Sequence, residues 1–262
     1  MANFDVNNFV IDRVIRGAMY SSKDNSYLWG VNQITNPSLS VTTETSQAVD
    51  ALGVAIATFN RAKNAEFSAE NSIFDLPLLA AQQGTEKQIA TSTSKITVPA
   101  FETIEIADET AVTLKHTPVD DVTEIFILNG DGTLGVRYAA GSEVTKEKFV
   151  YSNGTITLPT GLKAGTQLFV AYEYEAEEAV QVEATATEYP KAGKFIMEVL
   201  GTDVCDSTTM IHAYVVFMNA KLNADVDIDF TTEGTHPFTL VAQQAYCDSK
   251  KSLFKIIIPK ED

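Results

Sequence analysis

The segment that most invites a chemical reading is Gly130-Asp131-Gly132-Thr133-Leu134-Gly135, a letter-for-letter G-x-G-x-x-G that follows an apolar run. Dinucleotide binding needs a helix directly after the glycines, because the pyrophosphate rests on that helix's N-terminal amides. Here Val136-Arg137-Tyr138 follows, which reads as strand, so a hairpin turn is expected. A calcium loop fails as well. Counted from Asn129, the twelfth position, where an EF-hand needs Glu, is Ala140. The histidines His116, His212 and His236 form no HExxH. Cys205, Asp206, His212 and Cys247 lack any standard zinc spacing. No Gly-x-Ser-x-Gly marks a hydrolase nucleophile. The acid pairs Asp120-Asp121 and Glu177-Glu178 suit solvated surface better than glycosidase chemistry. The expectation is a protein with no catalytic, cofactor-binding or metal-binding residues, and not an enzyme.

One set of acids stands apart by its spacing. Asp225, Asp227 and Asp229 alternate with Val226, Ile228 and Phe230. In a strand this places three carboxylates on one face and three apolar side chains on the other. Such a strand suits an ordinary solvent-facing sheet.

The elements that position these residues read as strands almost throughout. Val10 to Tyr20, a polar turn at 21–26, and Tyr27-Leu28-Trp29-Gly30-Val31 form a hairpin. Ser38 to Thr45 alternates with the period of a half-buried strand, and Val54 to Phe59 and Ala65 to Ser68 give two more. One short helix is expected. Asp75 caps it, Pro77 sits in the first turn, Leu78 to Gln83 continue it and Gly84 ends it. Residues 85–97, rich in Thr, Ser, Lys and Gln, read as a loop. From 108 to 178 the strands become short and closely punctuated, with Asn129-Gly130 and Asn153-Gly154 between apolar runs. This stretch reads as an inserted small β-sandwich module of immunoglobulin-like texture. Residues 1–107 and 179–262 then make a discontinuous β core. Phe195 to Leu200, Met210 to Met218, Val226 to Phe230 and Leu253 to Ile258 supply its later strands. The fold class is mostly β: a sandwich or barrel core, one flanking helix and the inserted module.

Bulk composition agrees. The 262 residues are 45% hydrophobic, enough for a real core. A net charge of −16 repels phosphates, which argues against sequence-specific nucleic-acid binding and against anionic membranes. The start has no basic or apolar leader, and a soluble, cytosolic product with both cysteines as buried thiols is expected. Most aromatics alternate with Val, Ile or Leu, as core residues do, which leaves sugar binding a minor option centred on the 108–178 module.

The order of features resembles phage tail tube proteins. The resemblance rests on Arg16-Gly17-Ala18-Met19-Tyr20, Val41-Thr42-Thr43-Glu44-Thr45, Gly53 to Phe59 and Leu79-Ala80-Ala81-Gln82-Gln83-Gly84. After the insertion it continues with Phe217 to Leu222, Asp225 to Phe230 and Pro237 to Ala245. It implies six copies closing into a ring, with rings stacked into a tube that passes double-stranded DNA. It further implies other tail proteins as partners and a place in the virion tail after assembly in the host bacterial cytoplasm. Asp225, Asp227 and Asp229 would line the bore. Another virion role, such as head decoration or baseplate subunit, and an adhesin-like glycan- or cell-binding module stay open beside it.

Overall fold

The computed structural model describes residues 6, 8–232, 234–246 and 250–260. The chain divides into two compact units. The first comprises Met1–Lys87 and Val182–Asp262, and the second is Gln88–Gln181.

The first unit opens with β1 (Phe9–Ser21), β2 (Tyr27–Val31), β3 (Ile34–Val49), β4 (Ala55–Asn71) and α1 (Leu76–Gln83). The second unit contains β5 (Gln88–Ile89), β6 (Ile96–Glu105), β7 (Ala111–Thr113), β8 (Glu124–Leu128), β9 (Leu134–Ala140), β10 (Lys148–Ser152), β11 (Thr155–Thr157), β12 (Gln167–Ala176) and β13 (Val180–Gln181). The chain then returns to the first unit as β14 (Ala192–Asp203), β15 (Asp206–Leu222), β16 (His236–Ala242) and β17 (Phe254–Ile257).

In the first unit, eight strands form one sheet in the order β2-β1-β14-β15-β16-β4-β3, with β17 also paired to β15. The sheet curls as a barrel wall does. Trp29 on the edge strand β2 meets Phe238 on β16 with ring centroids 6.2 Å apart, and stacks on Phe195 of β14 at 5.6 Å. Phe67 on β4 reaches Phe195, Phe217 and Phe238. These aromatics, with Met19, Leu78 and Leu240, are the core. The strand residues come from the inward faces of their strands, as the period of two assigns them, and Leu78 is supplied by α1. Helix α1 forms as the sequence predicts. The Asp75 carboxylate accepts the Leu78 N–H at 2.8 Å, and Gly84 ends the helix at φ 76° while Thr85 N–H returns to Ala80 O. A side chain at Gly84 would run into the backbone of Tyr189, so both conformation and space require glycine there.

The second unit holds a seven-stranded sheet in the order β6-β12-β8-β9-β10-β11-β7, all antiparallel except β9 with β10. Its own core gathers Ile125, Phe149, Ile156, Leu168 and Val170. The unit begins well before the expected boundary at 108. Hairpin texture places the limit there, but β6 pairs with β12 along its whole length, from Ile96↔Ala176 to Glu105↔Gln167. Residues 85–97 are therefore not simply a loop. They include β5, which pairs with β13 where the chain enters and leaves the unit.

Two more expectations change. The separate strands expected at 54–59 and 65–68 are one continuous β4, because the mostly polar stretch Asn60 to Asn64 carries on the ladder with β3. The strand expected over Val226–Phe230 does not form. Residues 223–232 run irregularly after β15, and Phe230 is 88% exposed rather than packed inward.

Candidate functional site

The G-x-G-x-x-G turn is a hairpin loop. Gly132 adopts φ 80° and its N–H donates to Asn129 O, while Asp131 Oδ1 accepts from Thr133 N–H and Oγ1. Strand β9 follows directly, so no helix N-terminus faces the glycines. The Asn153-Gly154 turn has φ 48° and 81°, the left-handed pair that a tight hairpin requires.

The histidines lie in three unrelated places. His116 stacks on Tyr174 at 3.9 Å. His212 Nδ1 lies 2.8 Å from Glu198 Oε1, and the second oxygen of Glu198 accepts from Arg16 Nε. This carboxylate sits below the usual range, first because Arg16 donates to it, against a desolvation that raises it. The trio stitches β1, β14 and β15 together and includes no nucleophile. The Arg16–Glu198 pairing is invisible in the sequence, since the two residues are far apart and meet only through the β1–β14 register. His236 is fully buried against Phe74. It accepts the Asp75 N–H on Nδ1 at 3.2 Å and donates Nε2–H to Gln82 Oε1 at 2.8 Å. That pattern needs the neutral ring, and burial lowers its pKa while Asp75 pulls the other way. Cys205 is exposed in the β14–β15 turn rather than buried, with its N–H on Asp203 Oδ1. Cys247 lies outside the described residues.

Asp225, Asp227 and Asp229 are all exposed, with Val226 and Ile228 half-buried between them. The alternation of exposure therefore survives without the strand. Asn223 N–H on Thr239 O, Asp225 N–H on Asn223 Oδ1 and the Gly234–Thr231 turn fix the excursion. The Phe230 ring rests 6.2 Å from that of Phe74. The three acids are thus brought to one exposed stretch of chain, where Asp229 borders a small cleft with Phe74, Ile228 and Phe230.

The surface with the strongest physical demand is the β3–β4 hairpin. Strand β16 supports β4 only from Glu66 to Asn71. From Ala55 to Ala65, β4 pairs with β3 alone. At about 3.3 Å per residue this leaves a two-stranded ribbon roughly 35 Å long outside the sheet. Its tip exposes Val49, Leu52, Val54, Ile56 and Phe59, with Leu52 88% exposed. Two-stranded ribbons are marginal in water, and an open, apolar edge is a template for another chain.

A curled sheet with an unsupported apolar arm presents a surface suited to association with another chain. Comparison with protein-family models places residues 9–252 in the YomU/Tube protein family, and the chain belongs to that family. It is a phage tail tube protein, a structural component of the virion tail that assembles with copies of itself and with other tail proteins. No curated protein matches the chain. Among the described residues no helix is long and apolar enough to cross a membrane.

Proposed function

We propose that the chain closes into hexameric rings that stack into the tail tube and carry double-stranded DNA through their bore. The observation that carries this is the β3–β4 arm, whose apolar tip and open edges are stable only against a neighbour. The curled sheet ends in two edge strands, the short β2 and the long β3, so a closed ring leaves neither edge open. Asp225, Asp227 and Asp229 line the bore in this reading, and their charge keeps DNA phosphates from binding. In this reading residues 88–181 are an inserted immunoglobulin-like module. Its ends meet side by side, since Gln88 is paired with Gln181, so the module interrupts the core without separating the strands on either side. Assembly follows in the host cytoplasm, before the virion is complete. Negative-stain microscopy and light scattering of purified protein over a range of concentrations test this reading. Stacked rings are expected, and a monomer at all concentrations contradicts it.

A further inference from the structure

The first unit carries a groove of ≈ 460 Å³ beside α1, a size within the about 300–1,000 Å³ of typical ligand clefts. Leu28, Trp29, Pro77 and Ala81 form its walls, and Lys87 and Lys191 stand at its rim. Lys191 reaches Glu86 at 3.9 Å, while Lys87 makes no ion pair among the described residues, so the rim is positive by one charge. That is unusual ground in a chain of net charge −16.

The hairpin tip is its complement. From Ser46 to Thr58 the only charged residue is Asp50, set among Ala48, Val49, Ala51, Leu52, Val54 and Ile56. Asp50 Oδ1 accepts the N–H groups of Leu52 and Val54 at 2.9 and 2.8 Å, which shapes the turn and leaves Oδ2 for a cation. Leu52, at the apex, is 88% exposed, so the tip does not occupy its own chain's groove. We propose that the hairpin tip of one copy seats in the Leu28–Ala81 groove of a second copy, with Leu52 against the apolar walls and Asp50 between Lys87 and Lys191. This docking rests on the tube function above and names the contact that links one subunit to the next. Apolar burial supplies the affinity, and the single charge pair fixes how the tip enters.

The test is a disulfide trap in a Cys205→Ser, Cys247→Ser background. One protein carries Leu52→Cys and the other Ala81→Cys, and the two are mixed, assembled and mildly oxidised. A covalent dimer is expected from the mixture and not from either protein alone. Tubes that form with no mixed dimer overturn the docking and leave the tube function standing. A mixed dimer without tubes upholds the docking and removes the tube function, and neither product overturns both. Leu52→Asp gives a second readout. It leaves the fold intact, because Leu52 is almost wholly solvated, but removes a leucine's worth of burial at each contact. It is expected to raise the concentration needed for assembly by about tenfold or more. Assembly at the wild-type concentration overturns the docking.

Discussion

Replacing Ser46–Phe59 with Asn-Gly removes the arm at a point where Thr45 and Asn60 are direct partners, so a two-residue turn can close the shortened hairpin. The deleted stretch includes Val49, Leu52, Val54, Ile56 and Phe59, each between about half and nine-tenths exposed. Complete burial of such a side chain is worth roughly 1.5–3 kcal/mol, so covering what each leaves in water comes to roughly 5–10 kcal/mol per arm. Association itself costs on the order of 4–15 kcal/mol in lost freedom, so a term of this size decides whether subunits associate. The folded subunit loses little, because none of the deleted residues belongs to the core and β16 pairs with β4 only beyond them. A stability change within about 1 kcal/mol is expected. Sedimentation velocity, microscopy and thermal melting should therefore show a folded, monomeric variant. Tubes of normal length from the truncated chain refute the role given to the arm. A truncated chain that does not fold refutes the claim that the arm lies outside the core.

Excision of residues 88–181 with a short Gly/Ser bridge should leave a soluble first unit that still assembles, because Gln88 and Gln181 are adjacent partners; an unfolded product by circular dichroism would show that the core depends on the second unit. Changing Asp225, Asp227 and Asp229 together to Asn should spare folding and assembly but make tubes retain DNA at low salt, where screening is weak; unchanged retention across salt leaves these residues as plain surface. His236 is held neutral with its pKa below the ordinary 6.5, so the unfolded chain takes up its proton first as pH falls. Its contribution is full above about 6.5 and is lost as pH drops from there towards the folded value, so thermal stability should fall more steeply across that window than in His236→Gln; equal slopes refute the neutral assignment.

Much of this architecture is legible in residue patterns, but only where patterning reports burial. Asp75, Pro77 and Gly84 mark α1 because capping is local chemistry. Asn153-Gly154 marks its hairpin for the same reason. The outer half of β4 is harder to see. Apart from the half-buried Ala62, Asn60 to Asn64 are polar and exposed, on an arm where β4 is paired with β3 alone, so no alternation betrays the strand. Asp225–Phe230 misleads in the opposite sense. Its alternation is that of a strand, yet no neighbouring strand offers a ladder, and Phe230 turns out towards Phe74. The boundary at 88 escapes because the polar stretch 85–97 reads as a loop and β6, grouped with the core up to 107, finds its partner β12 only through long-range register. Arg16 with Glu198, and Asp75 and Gln82 with His236, are pairings created by register and by helix docking. Sequence spacing carries no trace of them.

In the proposed tube, stacked rings of this chain enclose an acidic bore. Cryo-electron microscopy with helical reconstruction of the assembled protein tests it most directly. Stacked six-fold rings are expected, with the arm of each subunit held by a neighbour and Asp225, Asp227 and Asp229 facing a channel wide enough for duplex DNA. Isolated monomers, or assemblies without a continuous axial channel, would contradict it.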